Sequence, residues 1–142
     1  MNEHILVLHT GDDALASMTE FALRNKIEGA SFSAIGAFVD STIAYWNWDT
    51  KEYEHIEVAE QVEVLAMTGS VARSGNDPRL HAHVVLGRRD GSTIGGHLIR
   101  AVVRPTLEIF FIDYGRRLTR KRDEATGLWL LDSSVGHRRP RR

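Results

Sequence analysis

The sequence predicts an α+β domain built on a mostly antiparallel β-sheet, with one main helix near the N-terminus. Three observations carry this prediction. Residues 13–26 alone show sustained helical periodicity. From residue 30 to residue 113 the chain reads as short strand-like runs separated by turn residues. The length, 142 residues with no internal repeat or linker, suits one domain with its own core.

The elements follow in order. Ile5-Leu6-Val7-Leu8 is a short strand of buried type, and Gly11-Asp12-Asp13 then opens the helix with acids where the helix dipole favours them. Leu15, Met18, Ala22 and Leu23 mark the apolar face of that helix, and Gly29 is placed just past its C-cap. Strands are predicted at about 30–38, 41–48, 51–58, 61–73, 79–88, 92–99 and 104–113. Asp49-Thr50 makes a tight hairpin turn, and that register sets Trp46 opposite Tyr53 as a packing pair. Residues 129–131 fold back onto the body. The domain spans residues 1–135, and residues 136–142 form a basic tail. One helix cannot cover so much sheet, so the uncovered face calls for another sheet or another copy of the chain.

Composition narrows the chemistry. The chain has no cysteine, which removes disulfides and thiolates and leaves nitrogen and oxygen as metal ligands. No apolar stretch approaches the ~20 residues needed to cross a bilayer, and no secretory signal is readable, so a soluble cytoplasmic protein is expected. Residues 1–114 carry 9 basic and 16 acidic side chains, a balance of −7, whereas residues 115–142 carry 9 and 3, a balance of +6. A basic tail on an acidic body either reaches toward nucleic acid or stays a solvated segment.

The most informative stretch holds three histidines. His81 and His83 lie two apart on one strand and therefore share a face. A three-residue loop of Arg89, Asp90 and Gly91, with the glycine left-handed, pairs residue 88 with 92 and sets His83 opposite His97. The same register puts Leu80, Ala82, Val84, Leu86, Ile94 and Leu98 on the other face. A two-residue loop would instead send His97 to the apolar side. Gly95 and Gly96 read as a close backbone approach or a bulge. Three converging imidazoles suit a divalent ion such as Zn²⁺, Ni²⁺ or Fe²⁺, with a coordination position left open for a small-molecule ligand. The competing arrangement is a set of sheet-face histidines hydrogen-bonded across an interface. His4, His9, His55 and His137 show no such convergence.

Two acids stand within apolar strands, Glu63 and Glu108. Each is a weak candidate for a general base, a fourth ligand or a partner to a ligand, set against a salt bridge to Arg73, Arg100 or Arg104 or plain exposure.

Taken together, Gly36-Ala37-Phe38, Glu63-Val64-Leu65-Ala66-Met67-Thr68-Gly69-Ser70, Leu80-His81-Ala82-His83-Val84, Asp90-Gly91, Gly95-Gly96-His97-Leu98 and Thr106-Leu107-Glu108 resemble the plant-and-prokaryote-conserved (PPC) domain. The ending, Leu118-Thr119-Arg120 with Thr126-Gly127-Leu128, is similar to bacterial members. The resemblance implies a homotrimer and a metal, often zinc, on His81, His83 and His97. It also implies the DNA-binding label that the family carries largely through plant AT-hooks. The tail residues Arg138, Arg139, Arg141 and Arg142 flank Pro140 but lack the glycine that an AT-hook core has between its arginines. Three functions follow as expectations: a DNA-associated regulatory protein, a metal-dependent enzyme acting on a small molecule, and a scaffold whose ion staples the trimer.

Overall fold

The computed structural model describes residues 1–132 and 134; the basic tail, with Arg138, Arg139, Arg141 and Arg142, lies outside the described residues. The element order is β1 (Asn2–His9), α1 (Ala14–Arg24), β2 (Ala30–Asn47), β3 (Glu52–Val58), β4 (Val62–Ser74), β5 (Asp77–Gly87), β6 (Thr93–Asp113), β7 (Arg120–Arg122) and β8 (Trp129–Leu131). The first six strands form one antiparallel sheet in the order β1-β6-β5-β4-β2-β3, and β2 pairs with β6 as well. That extra pairing closes a ring of β2, β4, β5 and β6. The predicted α+β class and antiparallel sheet are what the chain adopts.

Two pairs of predicted strands turn out to be single long ones. The runs 30–38 and 41–48 are one strand, β2, and the runs 92–99 and 104–113 are one strand, β6. Each long strand is bent by register shifts, at Ala34/Gly36 against β4 and at three points between Gly36 and Ile43 against β6. A bulge breaks the alternation of side chains without ending the strand, so it looks like a gap in the sequence. The bends let one half of β2 pair with β4 and the other half with β3.

The helix begins where expected, with Asp13 as N-cap accepting a hydrogen bond from the backbone of Ala16 at 2.9 Å. It ends earlier than expected. Asn25 is the C-cap and Lys26 takes the left-handed conformation, φ 54°. Gly29 therefore does not cap the helix. Its role is close approach: a Cβ there would lie 2.3 Å from the carbonyl oxygen of Arg116. The buried helical face is Ala14, Met18 and Ala22, one turn apart, and Leu23, one residue off that line, is 49% exposed. Met18 is sealed against the sheet and contributes roughly 1.5–3 kcal/mol by leaving water. Phe111 stands at the centre of the core, stacked on Phe21 at 5.4 Å and edge-on to Phe32 at 5.6 Å.

Directly opposed residues share a sheet face. Ile5 opposes Phe110, Phe110 opposes Ser33, Ser33 opposes Thr68, Thr68 opposes His83, and His83 opposes His97. The histidines thus lie on the same outer face that carries Ile5, Val7, Ile35, Phe110 and Ile112, all large apolar side chains open to solvent. No helix among the described residues is long and apolar enough to cross a membrane.

Gly69 faces Ala82 across β4 and β5, and a Cβ on it would stand 2.0 Å from the carbonyl oxygen of His81 and 2.5 Å from the ring of Phe32. Neither neighbour is a flexible side-chain tip. Gly69→Ala is expected to lower the unfolding free energy by about 1–3 kcal/mol in a urea titration. An unchanged midpoint would contradict the close packing behind His81.

Candidate metal centre

The loop between β5 and β6 has the predicted length. Gly91 adopts φ 83°, its N–H donates to Arg88 O at 2.9 Å, and Arg88 N–H donates to Ser92 O at 2.8 Å. Asp90 Oδ1 accepts from Ser92 N at 2.9 Å and so stiffens the turn. His83 then pairs directly with His97, with unbroken register from there to Gly87 and Thr93. No bulge occurs at Gly95 and Gly96 in this pairing. They serve close approach: a Cβ on Gly95 would sit 2.8 Å from Val84 O, and one on Gly96 would sit 2.8 Å from Ala44 O. Ala82, Val84, Leu86 and Leu98 are buried on the far side, as the alternation requires.

On the near side the ligand nitrogens of His81, His83 and His97 all lie within 4.8 Å of one another. The ring centroids are 4.7, 5.0 and 5.7 Å apart, and the Nε2 atoms of His81 and His83 are separated by 3.1 Å. Two imidazole nitrogens on one tetrahedral zinc, each at ~2.0–2.1 Å, stand roughly 3.3–3.4 Å apart. The trio therefore fits one ion with small ring adjustments. Such an ion would offer Lewis acidity and open positions to water or an anion.

The surroundings fix each ring. Tyr53 stacks on His97 with centroids 4.6 Å apart and planes 20° from parallel. Tyr53 is itself held edge-on by Trp46 at 4.9 Å, and the two residues oppose each other in the predicted register. The hairpin turn is wider than predicted. Lys51 N–H reaches back to Asn47 O at 2.9 Å, and Asn47 Oδ1 accepts from Asp49 and Thr50, a four-residue loop in place of a two-residue one.

The third wall comes from the C-terminal segment. Leu118 is buried, and its backbone donates to Glu28 O and accepts from Arg73 N. That docking carries Arg120 to the imidazoles. Its Nη2 donates to Ser70 Oγ at 2.9 Å and contacts His81 Nδ1 at 3.3 Å, and its Nη1 donates to Trp129 O at 3.0 Å. Residues 129–131 do fold back, as β8 against β7, and the guanidinium of Arg79 lies 4.1 Å over the Trp129 ring. A hydrogen bond from Arg120 to Nδ1 would put the His81 proton on Nε2, which faces His83 Nε2 at 3.1 Å. The metal-free trio is thus a hydrogen-bonded pair beside His97. Binding an ion through Nε2 requires that proton to move and Arg120 to release Nδ1.

Together these residues line a groove of about 850 Å³. Glu63 and Glu108 do not line it. Both are exposed, Glu63 opposite Ala37 and Gly87, and Glu108 opposite Val7 and Ile35. Two of the three arginines considered for them are engaged elsewhere: Arg100 pairs with Asp40, and Arg73 donates to Ile27 O and Asn76 O. Among the described residues, then, no carboxylate stands beside the imidazoles to act as a base. Arg120, Tyr53 and Trp129 are the neighbours that sequence reasoning did not assign to the site.

A profile of the Plants and Prokaryotes Conserved (PCC) domain matches residues 1–114. The chain belongs to that family. Among solved structures, a metal-containing protein from Archaeoglobus fulgidus is 36% identical, with 92% of this chain and 93% of that one covered and a TM-score of 0.86. A plant- and prokaryote-conserved protein from Pyrococcus horikoshii is 27% identical, with 92% of both chains covered and a TM-score of 0.83. A third, from Bacteroides thetaiotaomicron, bears the name "putative dna binding protein"; it is 28% identical over 92% of both chains, with a TM-score of 0.89. No curated protein matches the chain.

Burial, then Arg120, then His83 hold the His81 imidazole pKa down at about 4; burial, then His81, His83 and Arg120 hold His97 at about 4. Both rings are therefore neutral, the ligating form, at pH 7. In the unfolded chain they titrate near the ordinary 6.5. As pH falls from about 6.5 to about 4, the unfolded state gains protons that the folded state does not, so stability is lost across that window. In chelator-treated PCC-domain protein, the melting temperature is expected to drop more steeply over this range than in the His81→Gln/His97→Gln variant. Parallel curves would refute the assignment.

Proposed function

We propose that this PCC-domain chain acts in the cytoplasm as a DNA-associated regulatory protein. It holds one divalent ion, zinc first, on His81, His83 and His97, and assembles as a homotrimer. The observation that carries the metal reading is the meeting of three imidazole nitrogens within 4.8 Å on one sheet face. The metal-containing relative from Archaeoglobus fulgidus supports it. Purified protein should retain about one zinc per chain by elemental analysis, and His83→Ala should weaken zinc more than about 100-fold in a chelator competition. A protein that takes up no zinc, nickel or iron would sink the reading.

The DNA-associated role draws on the similar protein from Bacteroides thetaiotaomicron and on the +6 balance of residues 115–142. In this reading the basic C-terminal arginines meet phosphates, because the body is acidic and offers no basic platform. Three tails on one trimer would add their weak contacts. Binding to a short duplex is expected to fall steeply with salt. Deleting residues 136–142 removes four arginines and should flatten the log–log slope by about 3. Salt-independent binding, or an unchanged slope, would point away from the tail.

The trimer draws on the outer face. Ile5 is 67% exposed and Ile35 52% exposed, and with Val7, Phe110 and Ile112 they lie on the same sheet face as the site. Phe110→Asp is expected to shift the sedimenting species from trimer to monomer while the circular dichroism stays that of a folded sheet. Wild-type protein sedimenting as a monomer would exclude this assembly.

A further inference from the structure

The groove over the imidazoles carries a positive charge that no described carboxylate balances. It is walled by the rings of Trp46, Tyr53 and Trp129 and carries the guanidinium groups of Arg79 and Arg120, yet no carboxylate lines it among the described residues. Arg120 is half-buried, and its described partners, Trp129 O, Ser70 Oγ and His81 Nδ1, are all neutral. Its Nε is buried and without a partner, and so is the indole Nε1 of Trp46. Arg79 rests on the Trp129 face and makes no ion pair among the described residues.

A guanidinium withdrawn from water without a counter-ion is costly, and a carboxylate is its best partner because two parallel N–H···O bonds form at once. The aromatic walls add flat apolar surface, and a volume of about 850 Å³ is that of a small-molecule site. A DNA duplex presents its phosphates on a convex surface, which these recessed donors do not match.

We infer that the groove binds a small organic acid, a carboxylate on a flat apolar body, with the carboxylate on Arg120 and the body between the rings of Trp46, Tyr53 and Trp129. This goes beyond the metal reading and does not depend on it, because Arg120 and the rings are in place without an ion. The role it implies is that of a ligand-responsive regulator.

The test uses the full chain, once chelator-treated and once zinc-loaded, titrated with benzoate and with the neutral match benzamide. The readout is the indole N–H signals of the tryptophans in ¹H–¹⁵N spectra, assigned through Trp46→Phe and Trp129→Phe. Benzoate should shift the Trp46 and Trp129 signals saturably in the metal-free protein. Benzamide should bind about tenfold more weakly or worse, and Arg120→Gln should cost about tenfold, the range for a hydrogen bond to a charged group. Should Arg120→Gln fail to fold, Arg120→Lys, which keeps the charge but loses the paired N–H donors, decides by a weaker affinity for benzoate read at the Trp129 signal.

Several results would overturn the inference: no saturable shift, equal binding of benzamide, or binding that appears only with zinc and ignores Arg120. A DNA duplex that displaces benzoate and shifts the same indoles would do so as well. So would a wild type blind to benzoate whose trimer dissociates in Arg120→Gln, since the guanidinium then belongs to a subunit contact. Loss of zinc binding with benzoate binding intact would refute the metal reading alone.

Discussion

Everything at the site depends on the register between β5 and β6. His83 faces His97 because three residues, and not two, turn the chain between Arg88 and Ser92. A slip of one residue would send His97 into the apolar layer and bring Leu98 out to water. Leu98 is 2% exposed, and its exposure alone would cost roughly 1.5–3 kcal/mol, before the penalty of burying an imidazole without partners. The core therefore enforces the register, and the imidazole cluster is a by-product of good packing on the opposite face.

The groove differs from its sheet floor in origin. The floor is local, made by one hairpin. The walls are brought from far along the chain, Tyr53 on β3 and Arg120 and Trp129 on the C-terminal segment. An ion held through Nε2 would share the His81 ring with Arg120, whose guanidinium contacts Nδ1. The PCC family likeness explains the scaffold, and the chemistry lies in how these side chains share the imidazole face.

Much of this arrangement was legible from the residues. The helix start near Asp13, the opposition of Trp46 and Tyr53, the loop at Gly91 and the shared face of the three histidines all follow from short-range spacing, because turn chemistry and alternation act within a few residues. What depends on distant contacts was hidden. The continuity of β2 and β6 could not be read, because bulges interrupt alternation at the points where each strand changes partner. Glycine has several uses, so Gly29 looked like a helix cap, whereas it makes room for Arg116 and Leu118. Glu63 and Glu108 looked costly amid apolar neighbours, yet alternation turns both outward. Arg120 gave no local sign of its role, because only tertiary docking of Leu118 brings it to His81.

That docking has a consequence of its own. Gly29 lets the backbone near Arg116 lie against the body, and Leu118 then anchors the segment that ends in the Trp129 strand. Leu118 stands two residues before Arg120, so the contacts that seat Leu118 also set where the guanidinium meets His81. Bulk added at Gly29 would therefore reach the groove through the backbone, by displacing the segment that carries its roof.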